Sequence, residues 1–210
     1  MLFTHMLRTA LLLGLFALIC TWLVAITFEV TEEPIAASEK KALLRNLHEL
    51  IPANLHDNDL FTDVLMVRSQ DYLGSDKPLR VFRARQDNQP VALALETVAP
   101  EGYGGNIFLL IAIRYDGSLL GVRVSKHKET PGLGDAIEMK RSDWITGFND
   151  KSLTNPDKKG WRVEKDGGEF DQFTGATITP RAIVKAVHRS LQYYQLERDT
   201  LFMTTEKQDP

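Results

Sequence analysis

Only one cysteine, Cys20, stands in 210 residues. No disulfide within the chain can staple it, so its stability has to come from core burial. Charge is absent from one stretch: Ala10 through Phe28, 19 residues, contains no Asp, Glu, Lys or Arg. As a helix this run spans roughly 28 Å at about 1.5 Å per residue, which just crosses a bilayer. It holds no charged side chain for moving ions, so transport would belong to other chains. A basic excess is missing too: 25 Lys and Arg stand against 28 Asp and Glu, a net −3, which speaks against a nucleic-acid partner. His5, His48, His56 and His188 show no metal-ligand spacing with cysteine or with one another. No internal repeat or low-complexity tract occurs.

Arg8 and His5 precede the apolar run, while Glu29, Glu32 and Glu33 follow it. The positive-inside rule places residues 1–9 in the cytoplasm, makes 10–28 a transmembrane helix and puts the rest outside. The competing reading is a cleaved signal peptide, which calls for a shorter apolar core and a nearby small-residue cleavage site. Ile35, Ala36 and Ala37 come nearest to one, beyond an acidic stretch, and an uncleaved anchor is favoured. Residues 29–210 hold 24 basic and 28 acidic side chains, with enough length for one domain and a sizeable core.

Along that part, residues 29–60 read as a helical connector. Ser38 is placed as the N-cap of an amphipathic helix carrying Leu43, Leu44, Leu47, Leu50 and Ile51, which Pro52 ends. Two strands are expected between Val64 and Arg85, around a turn at Leu73–Asp76, and a third over Pro90–Val98. The second of these carries arginines and alternates poorly. After Gly102–Gly105, the apolar run Ile107–Ile113, the turn at Asp116-Gly117 and the return Leu119–Val124 predict the central antiparallel pair. A helix is expected over Ala136–Phe148, an exposed loop over Asn149–Gly160, and a flexible tail over 200–210. The fold class is α+β, with an antiparallel sheet and flanking helices.

Two segments carry chemistry. Asp171, Gln172, Phe173, Thr174, Gly175, Ala176 and Thr177 stand just ahead of a helix, with Thr179 and Pro180 read as its N-cap and first position. A helix start offers unpaired N–H groups and the positive end of a dipole, which suits a phosphate. Arg181 and Lys185 could add charge, and the small Gly175 and Ala176 admit close approach. Alternatively, the segment is an ordinary loop before a capped helix. The second segment, His127 to Asp135, places Pro131-Gly132 in a type II turn. Its Gly132 and Gly134 would let the loop hug a planar ring, and its polar groups would fix orientation. A plain Pro-Gly turn explains the glycines but leaves His127 and Glu129 unaccounted for.

The run Thr174-Gly-Ala-Thr177 resembles the flavinylation motif of the FMN-binding domain family. Together with Gly102-Tyr-Gly-Gly105, the loop 127–135 and the anchor, it makes the whole chain similar to the G subunits of Rnf (Rsx) electron transport complexes. The resemblance implies a bacterial inner-membrane protein, single-pass, with a periplasmic FMN-binding domain over 61–199. It implies FMN joined covalently through its phosphate to Thr177 by a flavin transferase, with Thr174, Gly175, Ala176 and Asp171 as recognition context. The loop of Glu129, Thr130, Pro131, Gly132, Leu133 and Gly134, with His127, would lie along the flavin. No catalytic residue and no metal is expected. The function implied is an electron relay within a multi-subunit, ion-translocating oxidoreductase, the partners being its other membrane subunits. Two alternatives stand beside it: the C subunit of a sodium-pumping NADH:quinone reductase, typically longer, and a membrane-tethered scaffold domain whose loop is unmodified.

Overall fold

The computed structural model describes residues 2–203. It divides into two compact units, one up to Leu44 and one from Arg45. The first unit belongs to helix α1, Leu2–Leu50. Its apolar window is long enough to cross a membrane and has no side chain buried. Within the charge-free run the hydroxyls of Thr21 and Thr27 donate to the carbonyls of Ala17 and Leu23, at 2.9 and 2.8 Å. Polar side chains are thus satisfied inside the helix, as a hydrocarbon surrounding requires. The expected break before Ser38 does not occur: α1 runs through Pro34. Strong helix formers from Glu39 to Leu44 carry it onward, so Ser38 is a helical residue and caps nothing.

The second unit is built on one five-stranded antiparallel sheet, in the order β1-β2-β3-β4-β5. The strands are β1 Val64–Ser69, β2 Ser75–Gln86, β3 Gln89–Gly102, β4 Gly105–Arg114 and β5 Leu119–Lys126. A single helical turn, α2 Gln70–Leu73, links β1 to β2. The long α3, Ile178–Phe202, is the last element among the described residues. Asp87 and Asn88, both at positive φ, make the tight β2–β3 hairpin, a conformation that Asp and Asn tolerate. The pair expected at the centre is displaced by one strand: β3 is central and β5 forms an edge.

Both faces of the sheet are covered, which explains the continuous apolar run in β4. On one face Leu93 and Leu95 of β3, paired with Ile113 and Ile111 of β4, pack into the cluster that holds Ile183, Val187 and Leu191 of α3. On the other face Phe82, Ala94, Leu110 and Ala112 are buried, as are Leu47, Leu50, Ile51 and Leu60. Phe61 meets Phe82 edge-on at 5.7 Å. A strand buried on both sides loses polar alternation. The arginines of β2 have their own reason. Arg83 and Arg85 both pair with Asp63 and donate to the carbonyls of Met203 and Phe202, at 2.7 and 2.9 Å. They satisfy the open carbonyl end of α3. Leu201 and Phe202 are consequently buried, inside the stretch expected as tail. Residues 204–210 lie outside the described residues.

Between β5 and α3 the chain forms short 3-10 turns at Gly134–Ile137 and Trp144–Phe148 instead of the expected helix. Phe148, Trp161 and Phe170 stack there, with Phe148 and Phe170 centroids 4.7 Å apart, so aromatic packing replaces helical periodicity. The loop 149–160 is largely exposed, although Pro156 and Gly160 are buried.

Ile111 is fully buried between Leu95 and Val122 of the neighbouring strands. Ile111→Ala is expected to lower unfolding free energy by about 2–5 kcal/mol. A fall in the urea midpoint at unchanged slope checks it.

Candidate functional site

Three separated stretches of chain meet beside the start of α3. The first is the β3–β4 hairpin tip, where Gly102 pairs with Gly105 and leaves Tyr103 and Gly104 at the turn. A Cβ on Gly104 would stand 2.0 Å from the carbonyl oxygen of Lys128. Only glycine therefore lets the tip press against the loop that follows β5.

That loop is the second stretch. The amides of Leu133 and Gly134 donate to the Thr130 carbonyl at 3.1 and 3.0 Å, and Gly132 has φ 78°. This is the type II turn expected at Pro131-Gly132. The Gly132 amide also donates to Oδ1 of Asp135, at 2.8 Å. Glu129 is buried, and both its oxygens accept: Oε1 from the Gly104 amide at 2.9 Å, Oε2 from the Thr179 hydroxyl. A Cβ on Gly134 would come within 2.8 Å of that same Oε2.

The third stretch is the hydroxyl-rich run. Phe173 is held against the Trp144 ring at 5.2 Å, and Trp144 Nε1 donates to the Asp171 carbonyl at 2.9 Å. The Ala176 amide closes a turn on the Phe173 carbonyl at 3.1 Å, with Gly175 at φ 85°. Here the conformation itself requires glycine. α3 then begins two residues earlier than expected, with Thr177 in the capping position and no side-chain capping bond from it. Thr179, expected as the cap, is instead fully buried in the first turn and committed to Glu129. Tertiary contact has outweighed the local capping preference.

Between these stretches lies a cleft of about 320 Å³, lined by Glu129, Thr130, Leu133 and Gly134 from one side and Gly175, Ala176 and Thr177 from the other. That volume lies within the range of small-molecule sites. Tyr103, Ile178 and Thr179 complete the wall. They were missed as site residues, although Tyr103 sits in the glycine-rich tip and Ile178 and Thr179 directly continue the motif. His127, Pro131, Gly132, Asp171 and Thr174 do not line the cleft. Tyr103, Leu133 and Ile178 leave 72%, 47% and 47% of their surfaces open, an apolar wall suited to a flat ring.

The basic side chains expected near the motif are engaged elsewhere. Arg181 forms a two-pronged pair with Asp166, at 2.5 and 2.7 Å, and Lys185 pairs with Glu101. Any anion at Thr177 would meet the first-turn amides of α3, which lack intrahelical acceptors. Among the described residues no cluster of His, Cys, Asp and Glu could hold a metal ion.

His127 supports the loop from behind. Its Nδ1 accepts the Glu129 amide at 3.0 Å, which assigns the ring proton to Nε2, 2.8 Å from Oε1 of Glu138. The His127 hydrogen bond holds the Glu138 carboxyl below its ordinary value, against a desolvation that raises it and with help from Lys140.

Residues 102–192 match the family described as the FMN-binding domain, and residues 1–50 match the RnfG N-terminal region. Relatives named as G subunits of ion-translocating oxidoreductase complexes align with nearly the whole chain. One from Shewanella loihica is 50% identical over 194 residues, 92% of this chain and 92% of the relative. One from Shewanella amazonensis is 52% identical, over 88% and 86%. A third, from Vibrio cholerae, is 46% identical, over 92% of each.

A carboxyl whose folded pKa is depressed contributes stability above its unfolded value and loses it as pH falls through the lowered one. Below the ordinary value of 4.5 for Glu138, His127→Ala is therefore expected to lose less stability on acidification than the wild type. Urea midpoints taken at a series of acid pH values check this.

Proposed function

The chain belongs to the RnfG family, the G subunits of ion-translocating oxidoreductase complexes, and from that premise we propose that its cleft holds FMN bonded through the phosphate to Oγ1 of Thr177. FMN accepts two electrons and can release them singly, so when bound it lets a protein of this kind relay electrons between redox partners. The domain would do this on the periplasmic side of the inner membrane, anchored by α1, after a flavin transferase has made the phosphoester. The tether keeps the cofactor from diffusing away.

The observation that carries the reading is the state of three hydroxyls. Thr179 is buried and bonded to Glu129. Thr174 is exposed and does not line the cleft. Thr177 alone of the three combines a place on the cleft wall with a hydroxyl not used in capping. The fit extends to the surroundings. At Gly134 a methyl would crowd both Glu129 and Thr179, so the wall accepts nothing larger there. At Gly175 the left-handed backbone turns the chain so that Thr177 reaches the helix start. The amides of that first turn suit phosphate oxygens, while Leu133, Ile178 and Tyr103 suit the apolar ring system. Glu129 keeps the hairpin tip, the loop and α3 in register around them.

The full chain, produced together with its flavin transferase, is expected to give a band that fluoresces under ultraviolet light on a denaturing gel. Its intact mass should exceed the polypeptide by one FMN less one water. Thr177→Ala should be dark and unmodified, with its stability within about 0.5 kcal/mol of wild type, as for a surface change. A dark wild-type band, or a modified peptide mapped to Thr174 or Thr179, would overturn the assignment.

A further inference from the structure

One helical turn beyond Thr177, a second groove opens along α3. It has a volume of about 430 Å³ and a wall formed by Arg162, Arg181, Lys185 and the Arg181-paired Asp166, with Trp161 and His188 at its base. His188 stacks on Trp161 with centroids 5.3 Å apart. Burial, with Lys158 nearby, pushes the His188 imidazole below its ordinary value, so the base of the groove is uncharged at neutral pH and its rim is cationic.

The balance of charge here is opposite to that of the molecule. Residues 157–166, the α3 residues up to Arg189, and Glu101 supply seven cations against four carboxylates, whereas the chain as a whole is net −3. Asp166 and Glu101 are taken up by Arg181 and Lys185. Asp157 caps the amides of Lys159 and Gly160. Lys158, Arg162 and Lys165 are exposed and have no ion-pair partner among the described residues. Asp166 offsets part of the charge of Arg162 and Lys165, and an acidic counterpart would relieve the repulsion that remains among these cations.

We propose that this groove is the docking surface for an acidic face of the protein that exchanges electrons with this one, with a projecting carboxylate side chain seated between Arg162 and His188. The inference rests on the flavin reading, because it places the partner beside the cofactor's attachment point. Protein redox encounters use small, charge-steered contacts, and a local cationic patch on an otherwise acidic domain steers such a partner to one orientation. An anionic bilayer is a poorer counterpart: it would meet the net acidity of the whole domain, and its flat layer of headgroups does not enter a recessed groove.

The test uses the full-length, flavin-loaded chain in neutral detergent and the remaining members of the complex purified without it. Lys158→Glu, Arg162→Glu and Lys165→Glu are combined in one variant, with a second carrying Gln at the same positions. The wild-type affinity is expected to fall steeply with added salt. The Glu variant should bind at least about tenfold more weakly at low salt with a flattened dependence, and the Gln variant should lie between them. Both should keep the fluorescent band and the urea midpoint. Equal affinity and equal salt dependence in all three would overturn the docking surface while leaving the flavin assignment intact. Loss of binding to phosphatidylglycerol vesicles with assembly unchanged would overturn it in favour of lipid. A dark wild-type band would instead remove the flavin reading itself.

Discussion

Glu129 is a buried carboxylate with an acceptor bond on each oxygen, and the geometry of the site depends on it. One bond reaches the amide of Gly104 at the hairpin tip and the other the hydroxyl of Thr179 in the first turn of α3. Burying a carboxylate is costly unless each lone-pair direction finds a donor, and breaking such an arrangement leaves that cost uncompensated. The three stretches are therefore held to one spacing, because any displacement strands a buried polar atom. The glycines follow from this demand. Gly102, Gly104 and Gly134 stand where a Cβ would collide with Glu129, its backbone neighbour or the hairpin itself. What looks in the sequence like a loop made permissive by glycine is a rigid junction that only glycine permits.

The sheet supplies the platform for that junction. Because both faces are covered, β3 and β4 are fixed in register over most of their length, and the hairpin tip projects from the end of the most buried pair. α3 lies across one face and is held at both ends, by Thr179 at its start and by Arg83 and Arg85 at its last carbonyls. A helix held at both ends cannot slide along the sheet, so its first turn stays beside the hairpin tip.

How much of this was legible in the sequence depended on the range of the forces involved. Charge depletion over 10–28, the Asp116-Gly117 turn and the Pro131-Gly132 turn are local, and the structure has the helix and both turns. Thr179 misled because capping preference is a weak local signal, and a buried partner 50 residues away outweighs it. The helix expected over Ala136–Phe148 failed for a related reason: Trp144 and Phe148 make their contacts with Phe173, Trp161 and Phe170, none of which a helical period foretells. The arginines of β2 read as poor alternation because their partners, Asp63 and the carbonyls of Phe202 and Met203, lie far along the chain. Of the cleft wall, Glu129, Thr130, Leu133, Gly134, Gly175, Ala176 and Thr177 were nameable from their pattern, whereas His127, Pro131, Gly132, Asp171 and Thr174, named with them, do not line it. Tyr103 and Ile178 became visible only once the hairpin and helix were brought together.

The commitments of Arg181 and Lys185 bear on how an anion could be held at Thr177. Both side chains are occupied by carboxylates on the flank of α3, so charge compensation at the proposed attachment point falls to backbone amides and the helix field. Amides fixed in a helix cannot swing away or lose a proton, and they bind an anion with little reorganisation. On the proposed reading two duties are separated: the start of α3 would meet the phosphate, and Lys158, Arg162 and Lys165, outside α3, would meet the partner.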